Sequence, residues 1–482
     1  MKRAMMTAAC LALLAAAAHA QTSVRTPAPA LSPDKAAFRA LYKELVETNT
    51  ELSNKDEKTG TCTTAAKRMA AHLTAAGYPA ADVKVWTAPE HPLEGGLFAV
   101  LHGTDPKAKP MLLLAHIDVV EAKRADWTRD PFTLIEEGGY FYGRGTSDDK
   151  AEASVWVDTM VRLKQEGFKP KRDIKIALTC GEETAGAFNG AEWLATHERK
   201  LIDAEFALNE GAGGRLDKAG RPVILNIQAG EKFPQNYQLE VTNPGGHSSR
   251  PTRVNAIDEL AHALVRIEDY QFPIKFTDAS RAYFTEMAKL TPEPEAGQMR
   301  ALLKDTTDKT AAEAMRDDPG ANGMLHTTCI PTMLSGGHAT NAQPQRATAV
   351  VNCRIFPGET VEAVRAKLES LSADPGVKVT VMETRSPISL KPPPLTPEIM
   401  GPVKQVAGEI WPGTPIVPTL TAGGTDGAFL IPAGIPTYGL TGMFGDPDGN
   451  GVHGLNERIR VKSLYDGRDF LYRVVKLYAA QG

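Results

Sequence analysis

The chain has 482 residues, 42% of them hydrophobic and 23% charged, which describes a globular protein too long for a single hydrophobic core and sets two domains as the expectation. The net charge of -4, with no basic block, argues against nucleic acid or an anionic membrane surface as a partner.

The chain opens on MKRAMMTAACLALLAAAAHA (1–20), a basic start followed by an apolar run and a small-x-small ending at Ala18-His19-Ala20. This reads as a signal peptide cut before Gln21, and it predicts a secreted, periplasmic protein with no membrane attachment after cleavage. A lipid anchor on Cys10 is disfavoured, because the residues before it lack the expected Leu. Residues 21–32 read as a flexible Pro/Ala/Ser leader.

Helical spacing follows over 33–53 and in CTTAAKRMAAHLTAAGY (62–78). Strands and helices then alternate. DVKVWTA, GGLFAVLHG and PMLLLAHIDVV read as strands, KAEASVWVDTMVRLKQEG as a helix, DIKIALTCGEE as a strand, NGAEWLATHERKLI as a helix and AEFALNEG as a strand. Alternation of this kind predicts an α/β domain whose sheet is covered on both faces.

Beyond about residue 232 the pattern becomes β-α-β-β-α-β: NYQLEVTNPGG, VNAIDELAHALVRIEDY, TTCIPTMLSGG, ATAVVNCRIFPG, TVEAVRAKLESLS and VKVTVME, interrupted by a polar, helix-prone insertion over 275–325. That order predicts a ferredoxin-like unit, and the Pro-rich SLKPPPLTP (389–397) reads as the linker out of it. The expected organisation is one catalytic domain in two segments, 33–231 and 389–482, with a smaller domain over 232–388 between them. Of Cys62, Cys180, Cys329 and Cys353, the last two lie on strands that face each other if they are antiparallel neighbours; buried free thiols are the alternative.

Acids and histidines gather at predicted strand ends, where α/β sheets bind ligands. These are His116 and Asp118 in LLLAHIDVV, Asp148 and Asp149 in GRGTSDDK, Glu182 and Glu183 in TCGEE, Glu210 in LNEG, and His453 and Glu457 in GVHGLNER. Singly, each has an ordinary reading, such as a buried structural His or acids at a helix N-terminus. Together, so many carboxylates repel one another unless cations neutralise them, and His with carboxylate but no paired Cys fits zinc or a similar divalent ion. Two ions sharing a carboxylate could clamp an attacking hydroxide.

HID, GRGTSDDK, GEE, GGHSS and the late HG with Glu457 resemble the di-zinc exopeptidase and deacylase family (M20) that includes aminoacylase, carnosinase, succinyl-diaminopimelate desuccinylase and the glutamate carboxypeptidases, from about residue 35 onward. The resemblance implies a zinc-exopeptidase-type α/β sandwich with an inserted ferredoxin-like lid or dimerisation domain. It implies two divalent ions, zinc first, cobalt or manganese otherwise. His116 and Glu210 would complete one ion site, Glu183 and His453 the other, and Asp148 would bridge both. Asp118 would hydrogen-bond the far ring nitrogen of His116, and Glu182 would be the general base. His247 in GGHSSRP would polarise the scissile carbonyl, from the other subunit in a homodimer. Asn341 and Arg354 would hold the substrate carbonyl and carboxylate, and Gly424 and Thr425 would contact substrate. Ordinary readings stand beside these: a turn cap for His247, a surface ion pair for Arg354, a turn residue for Asn341.

Two departures are visible. Ala151 stands where many members have Gly. Asn209-Glu210 leaves the ligand's place open by one residue, and Glu210 is preferred because a carboxylate binds zinc better than an amide. The expected activity is hydrolysis of an amide bond next to a free carboxylate, in a dipeptide or at the C-terminus of a short peptide. Deacylation of N-acyl amino acids is the near alternative, and a non-catalytic binding protein the remote one. A serine hydrolase would need a G-x-S-x-G elbow, which the chain lacks.

Overall fold

The computed structural model describes residues 31–184, 188–382 and 391–481. The expected signal peptide, nearly all of the leader and the first residues of the Pro-rich linker lie outside the described residues.

Helices α1 (Pro33–Val46) and α2 (Cys62–Ala75) lead into strands β1 (Val83–Ala88), β2 (His91–Leu101) and β3 (Met111–His116). Two short strands, β4 (Ile135–Glu137) and β5 (Tyr140–Tyr142), precede helix α3 (Lys150–Gln165) and strand β6 (Ile174–Thr179). Helices α4 (Gly190–His197) and α5 (Arg199–Ile202) are followed by β7 (Phe206–Asn209), β8 (Gly214–Leu216) and β9 (Pro222–Glu231). The helices begin where the sequence offers caps: Thr61 accepts from the Thr64 N–H ahead of α2, and Asn189 from the Glu192 N–H ahead of α4.

The next stretch forms β10 (Phe233–Thr242), β11 (Gly246–His247) and α6 (Ala256–Glu268). Four helices follow: α7 (Asp278–Leu290), α8 (Glu295–Lys304), α9 (Lys309–Arg316) and α10 (Pro319–Leu325). Then come β12 (Thr328–Gly336), β13 (Ala342–Gln343), β14 (Arg346–Ile355), α11 (Val361–Ser372) and β15 (Val377–Val381). The last stretch holds α12 (Pro397–Ile410), β16 (Ile416–Thr421), α13 (Gly427–Leu430), β17 (Thr437–Gly439), β18 (Phe444–Gly445), β19 (Arg458–Arg460) and α14 (Val461–Ala480).

The large mixed sheet runs β1-β2-β6-β3-β7-β17-β9-β8-β18, with β16 beside β9. Its centre is parallel, β6 and β7 flanking β3. Buried on both faces, β3 is apolar from Met111 to Ala115: Met111, Leu113 and Ala115 join the cluster under α1, α2, α3 and α14, and Leu112 and Leu114 join the cluster under α4.

A second, antiparallel sheet runs β12-β14-β10-β15. Helices α6 and α11 cover one face of it, where Leu260, Ala263, Ile267 and Leu368 meet Tyr237, Leu239 and Val241. The connectivity and strand order are those of the expected ferredoxin-like unit. The chain crosses from one sheet to the other between Glu231 and Phe233, at Lys232. The return crossing includes residues 383–390, outside the described residues. The helices of the 275–325 insertion pack largely on the big sheet: Phe284, Met299 and Leu302 cluster with Ile224, Val417 and Leu420.

The described residues contain two disulfides. Cys329–Cys353 joins directly paired residues of β12 and β14. Cys62–Cys180 ties the start of α2 to the end of β6. Cys180 is therefore no nucleophile.

Candidate metal centre

The parallel ladder decides what meets what. His116 lies opposite Thr179, and Leu113 opposite Leu208, so β3, β6 and β7 end side by side. The residues just beyond them, 116–118, 182–183 and 210, converge at one edge. Asp148 enters from the loop before α3, and His453 from the loop before β19.

His116 Nε2 lies 3.0 Å from Asp148 Oδ1 and 3.7 Å from Glu210 Oε1. The other Asp148 oxygen, Oδ2, lies 3.3 Å from His453 Nε2, which is 2.7 Å from Glu183 Oε2. Glu182 stands with His116 and Glu210, each offering an atom within 4.8 Å of the others. Asp148 thus turns one oxygen toward each histidine, and each histidine has a second carboxylate of its own.

Asp118 departs from the expectation. His116 Nδ1 donates to the Asp118 backbone carbonyl at 3.1 Å, whereas the Asp118 carboxylate oxygen lies 3.7 Å away. That carboxylate instead accepts from the backbone N–H groups of Glu183 (3.1 Å) and Glu182 (3.4 Å). The backbone carbonyl therefore engages Nδ1 and leaves Nε2 facing the acids, and the side chain sets the turn that carries both glutamates.

The cluster is acid-rich and, apart from the exposed His453, buried or partly buried. Burial, with the nearby Glu210 charge, pushes the Glu182 carboxyl up to about 10. Burial pushes Glu183 up to about 7. Burial, then the charge of Glu152, raises Asp149. Burial also opposes ionisation of Asp148, but hydrogen bonds from His116 and His453 outweigh it and hold this carboxyl below its usual range. The bond from His453 to Asp148 raises the imidazole to about 8.

Glu210 stands in the cluster; the Asn209 side chain is buried without a hydrogen-bond partner among the described residues. His247 is exposed on β11, paired with β13, and its Nδ1 accepts from the Ser249 hydroxyl at 2.8 Å. Asn341 lies beside it, its carbonyl accepting from the Ser248 N–H. Among the described residues no hydrogen bond or ion pair joins His247, Asn341 or Arg354 to the cluster. Arg354 is half-buried on β14, opposite Thr328 and Pro234, and no carboxylate of the described residues pairs with it. Gly424 is exposed near Pro234, but the Thr425 hydroxyl is buried and donates to Glu231 at 2.8 Å. Trp127 is buried beneath the Arg144 guanidinium rather than lining a cleft.

Two residues that shape the edge carried no assigned role in the sequence. Asp426 is buried, accepting from Thr179 (2.6 Å) and Asn189 (2.8 Å). Glu457 accepts from Arg144 and from three backbone N–H groups around Asp148. The TDG and NER contexts signal a turn, and burial of an acid there is visible only once the fold is known.

Residues 112–477 match the model of peptidase family M20/M25/M40, a span that contains every residue of the cluster. The chain belongs to this family. It is an M20 hydrolase, and the family is metal-dependent. The human N-fatty-acyl-amino acid synthase/hydrolase PM20D1 is 29% identical over 386 residues, covering 78% of this chain and 75% of that protein. Among solved structures, the M20 family metallo-carboxypeptidase Sso-CP2 of Sulfolobus solfataricus superposes with a TM-score of 0.67 at 19% identity, over 93% of this chain and all of that one. The Bacillus subtilis YXEP protein, described as a dinuclear metal binding peptidase of the M20 family, superposes at 0.58 with 13% identity, over 92% of this chain and 98% of that one. For this M20 chain, the structural likeness bears on the fold: a mixed α/β architecture with a large sheet.

Proposed function

We propose that the chain is a two-metal hydrolase that cuts an amide bond next to a free carboxylate. The carrying observation is Asp148, whose oxygens face two different histidines, His116 and His453. The donor set is imidazole and carboxylate with no thiolate, which suits zinc, with cobalt or manganese as alternatives. The raised carboxyls of Glu182 and Glu183 mark a pocket short of positive charge. His116, Asp148 and Glu210 would hold one ion, and Asp148, Glu183 and His453 the other. Bound there, the ions would polarise the scissile carbonyl and ease deprotonation of water.

The remaining steps belong to side chains. Glu182, which stands beside His116 and Glu210, is left free of both ions in this reading, and it would take the proton from the attacking water and deliver it to the leaving nitrogen. His247, whose Nδ1 is engaged by Ser249, would offer Nε2–H to the developing oxyanion once the inserted domain closes or a second copy supplies it. Arg354, with Asn341, would receive the substrate carboxylate and carbonyl. An unpaired, half-buried guanidinium suits a carboxylate through its planar fork. Gly424 would line the path to it, and Thr425 would act through Glu231.

Dipeptides, peptide C-termini and N-acyl amino acids all present this carboxylate. The carboxypeptidase-type neighbour supports the first two and the PM20D1 relative the third. Secretion to the periplasm is supported by the N-terminal segment and by two disulfides, which suit an oxidising compartment. No helix among the described residues is long and apolar enough to cross a membrane. A second copy is the partner favoured by the exposed Ile330, Met333 and Leu334 on the unpaired edge of β12.

The test combines metal analysis with rates on a panel of dipeptides and N-acyl amino acids. Wild type should hold about two ions per chain. Glu182→Gln should keep them and lose roughly 10²–10⁴-fold in kcat. A wild type without metal, or a variant as fast as wild type, would sink the reading, and the panel ranks the substrate classes.

A further inference from the structure

We propose that the buried Arg144–Glu457 pair is a clasp that holds Asp148 and His453 in register, so that breaking it releases the ion at Glu183 and His453 and spares the ion at His116. This rests on the two-metal reading above.

Glu457 is fully buried, and every direction of its carboxylate is used. Oε2 accepts from Arg144 Nη1 at 2.7 Å and from the Gly145 N–H at 2.9 Å. Oε1 accepts from the N–H groups of Ser147 at 2.8 Å and Asp148 at 3.0 Å. Three of these donors are the backbone of the turn that presents Asp148. The second arm of Arg144, Nη2, donates to the carbonyl of Gly454 at 2.9 Å, next to His453. The Glu457 carbonyl accepts from the Gly143 N–H at 3.1 Å, and Asn450 donates to the Ser147 hydroxyl at 3.1 Å. The loops 143–148 and 450–457 are thus fastened to each other along their length.

The His453 loop needs such fastening. His453 and Asn456 have φ of +60° and +54°, in the left-handed region that a side chain occupies at a cost. His116 and Glu210 are placed differently. They sit at the ends of β3 and β7, whose parallel ladder does not involve the clasp. The ion at His116 would lose firm support from one of its three ligands, Asp148. The other ion would lose it from two, Asp148 and His453.

The chemistry of the pair dictates the substitutions. In Glu457→Gln, each carboxylate oxygen already faces two donors, so the amide nitrogen would meet two N–H groups in either orientation. Arg144→Lys keeps the charge but has no fork to reach both Glu457 and the Gly454 carbonyl. Both act on position and neither touches substrate.

The experiment measures zinc retained per chain after dialysis, and each zinc affinity by competition with a chromophoric chelator. It uses the full chain as wild type, Glu457→Gln, Arg144→Lys and His453→Ala, with thermal unfolding followed in parallel. Wild type should retain two ions. Both clasp variants should resemble His453→Ala in keeping one, their second ion weakened roughly 10–100-fold while the first keeps its affinity. Variants that keep both ions at wild-type affinity, or weaken both equally in step with a lowered unfolding midpoint, overturn the clasp and leave the two-metal reading standing. A wild type that retains fewer than two overturns both. If Glu457→Gln does not fold, Arg144→Lys decides by the same readout.

Discussion

At His116 the choice of ring nitrogen is made by a backbone carbonyl, and the neighbouring carboxylate is thereby released to hold the Glu182–Glu183 turn. One short sequence, HID, thus does two jobs with one acid. The residue types in LLLAHIDVV make a ligand and an orienter legible, but which Asp118 atom orients depends on the turn taken after β3. Arg354 is the residue whose proposed role is most open to direct test. Replacing a charge-assisted hydrogen bond with nothing costs about 1.5–3 kcal/mol. Arg354→Met is therefore expected to raise KM for free-acid substrates roughly 10–100-fold. It should change little for substrates whose carboxylate is amidated. An equal effect on both classes would remove Arg354 from carboxylate recognition.

Among the elements, the continuous apolar run of β3 and the helical period of α6 were readable because a buried parallel strand and an amphipathic helix impose those patterns. Strands of two or three residues such as β4, β8 and β18 carry no period to read. The 275–325 helices were readable as helices, but their apolar faces do not declare that they meet Val417 and Leu420. The edge of β12 is a further case. Met333 and Leu334 are 68% and 71% exposed on an edge strand, a row that invites pairing. Light scattering on the wild type should report a dimer, and Met333→Asp with Leu334→Asp should report a monomer of unchanged fold. A monomeric wild type rules out this edge as the contact.

The molecule as a whole carries the electrostatic cost of its site. In the folded chain burial pushes the Glu182 carboxyl up to about 10, Glu183 to about 7 and Glu231 to about 8, from an ordinary 4.5. Burial is the leading cause for each. Raised acids bind more protons folded than unfolded, so their stabilising contribution is present below about pH 4.5 and drains away as pH rises toward the folded values. The buried Lys150 and Lys232, lowered to about 7 chiefly by burial, act in the opposite sense only above that pH. Chelator-treated protein is therefore expected to lose unfolding temperature from pH 5 to pH 7, and metal-loaded protein to lose less, because ions replace the protons. A stripped protein more stable at pH 7 than at pH 5 would contradict this.

The sequence by itself determined the kinds of donor available, their places at strand ends, the alternation that makes an α/β sheet, and the β-α-β-β-α-β unit between its halves. These follow from side-chain chemistry and from periods of two and 3.6 residues, which are local properties. Tertiary structure decided the pairings. Cys62 finds Cys180 across 118 residues, and Arg144 finds Glu457 across 313. Asp148 faces two histidines that lie on opposite sides of it in the chain. Such contacts are set by which strands lie adjacent, in what register and how deeply buried, and those are settled when the whole core closes.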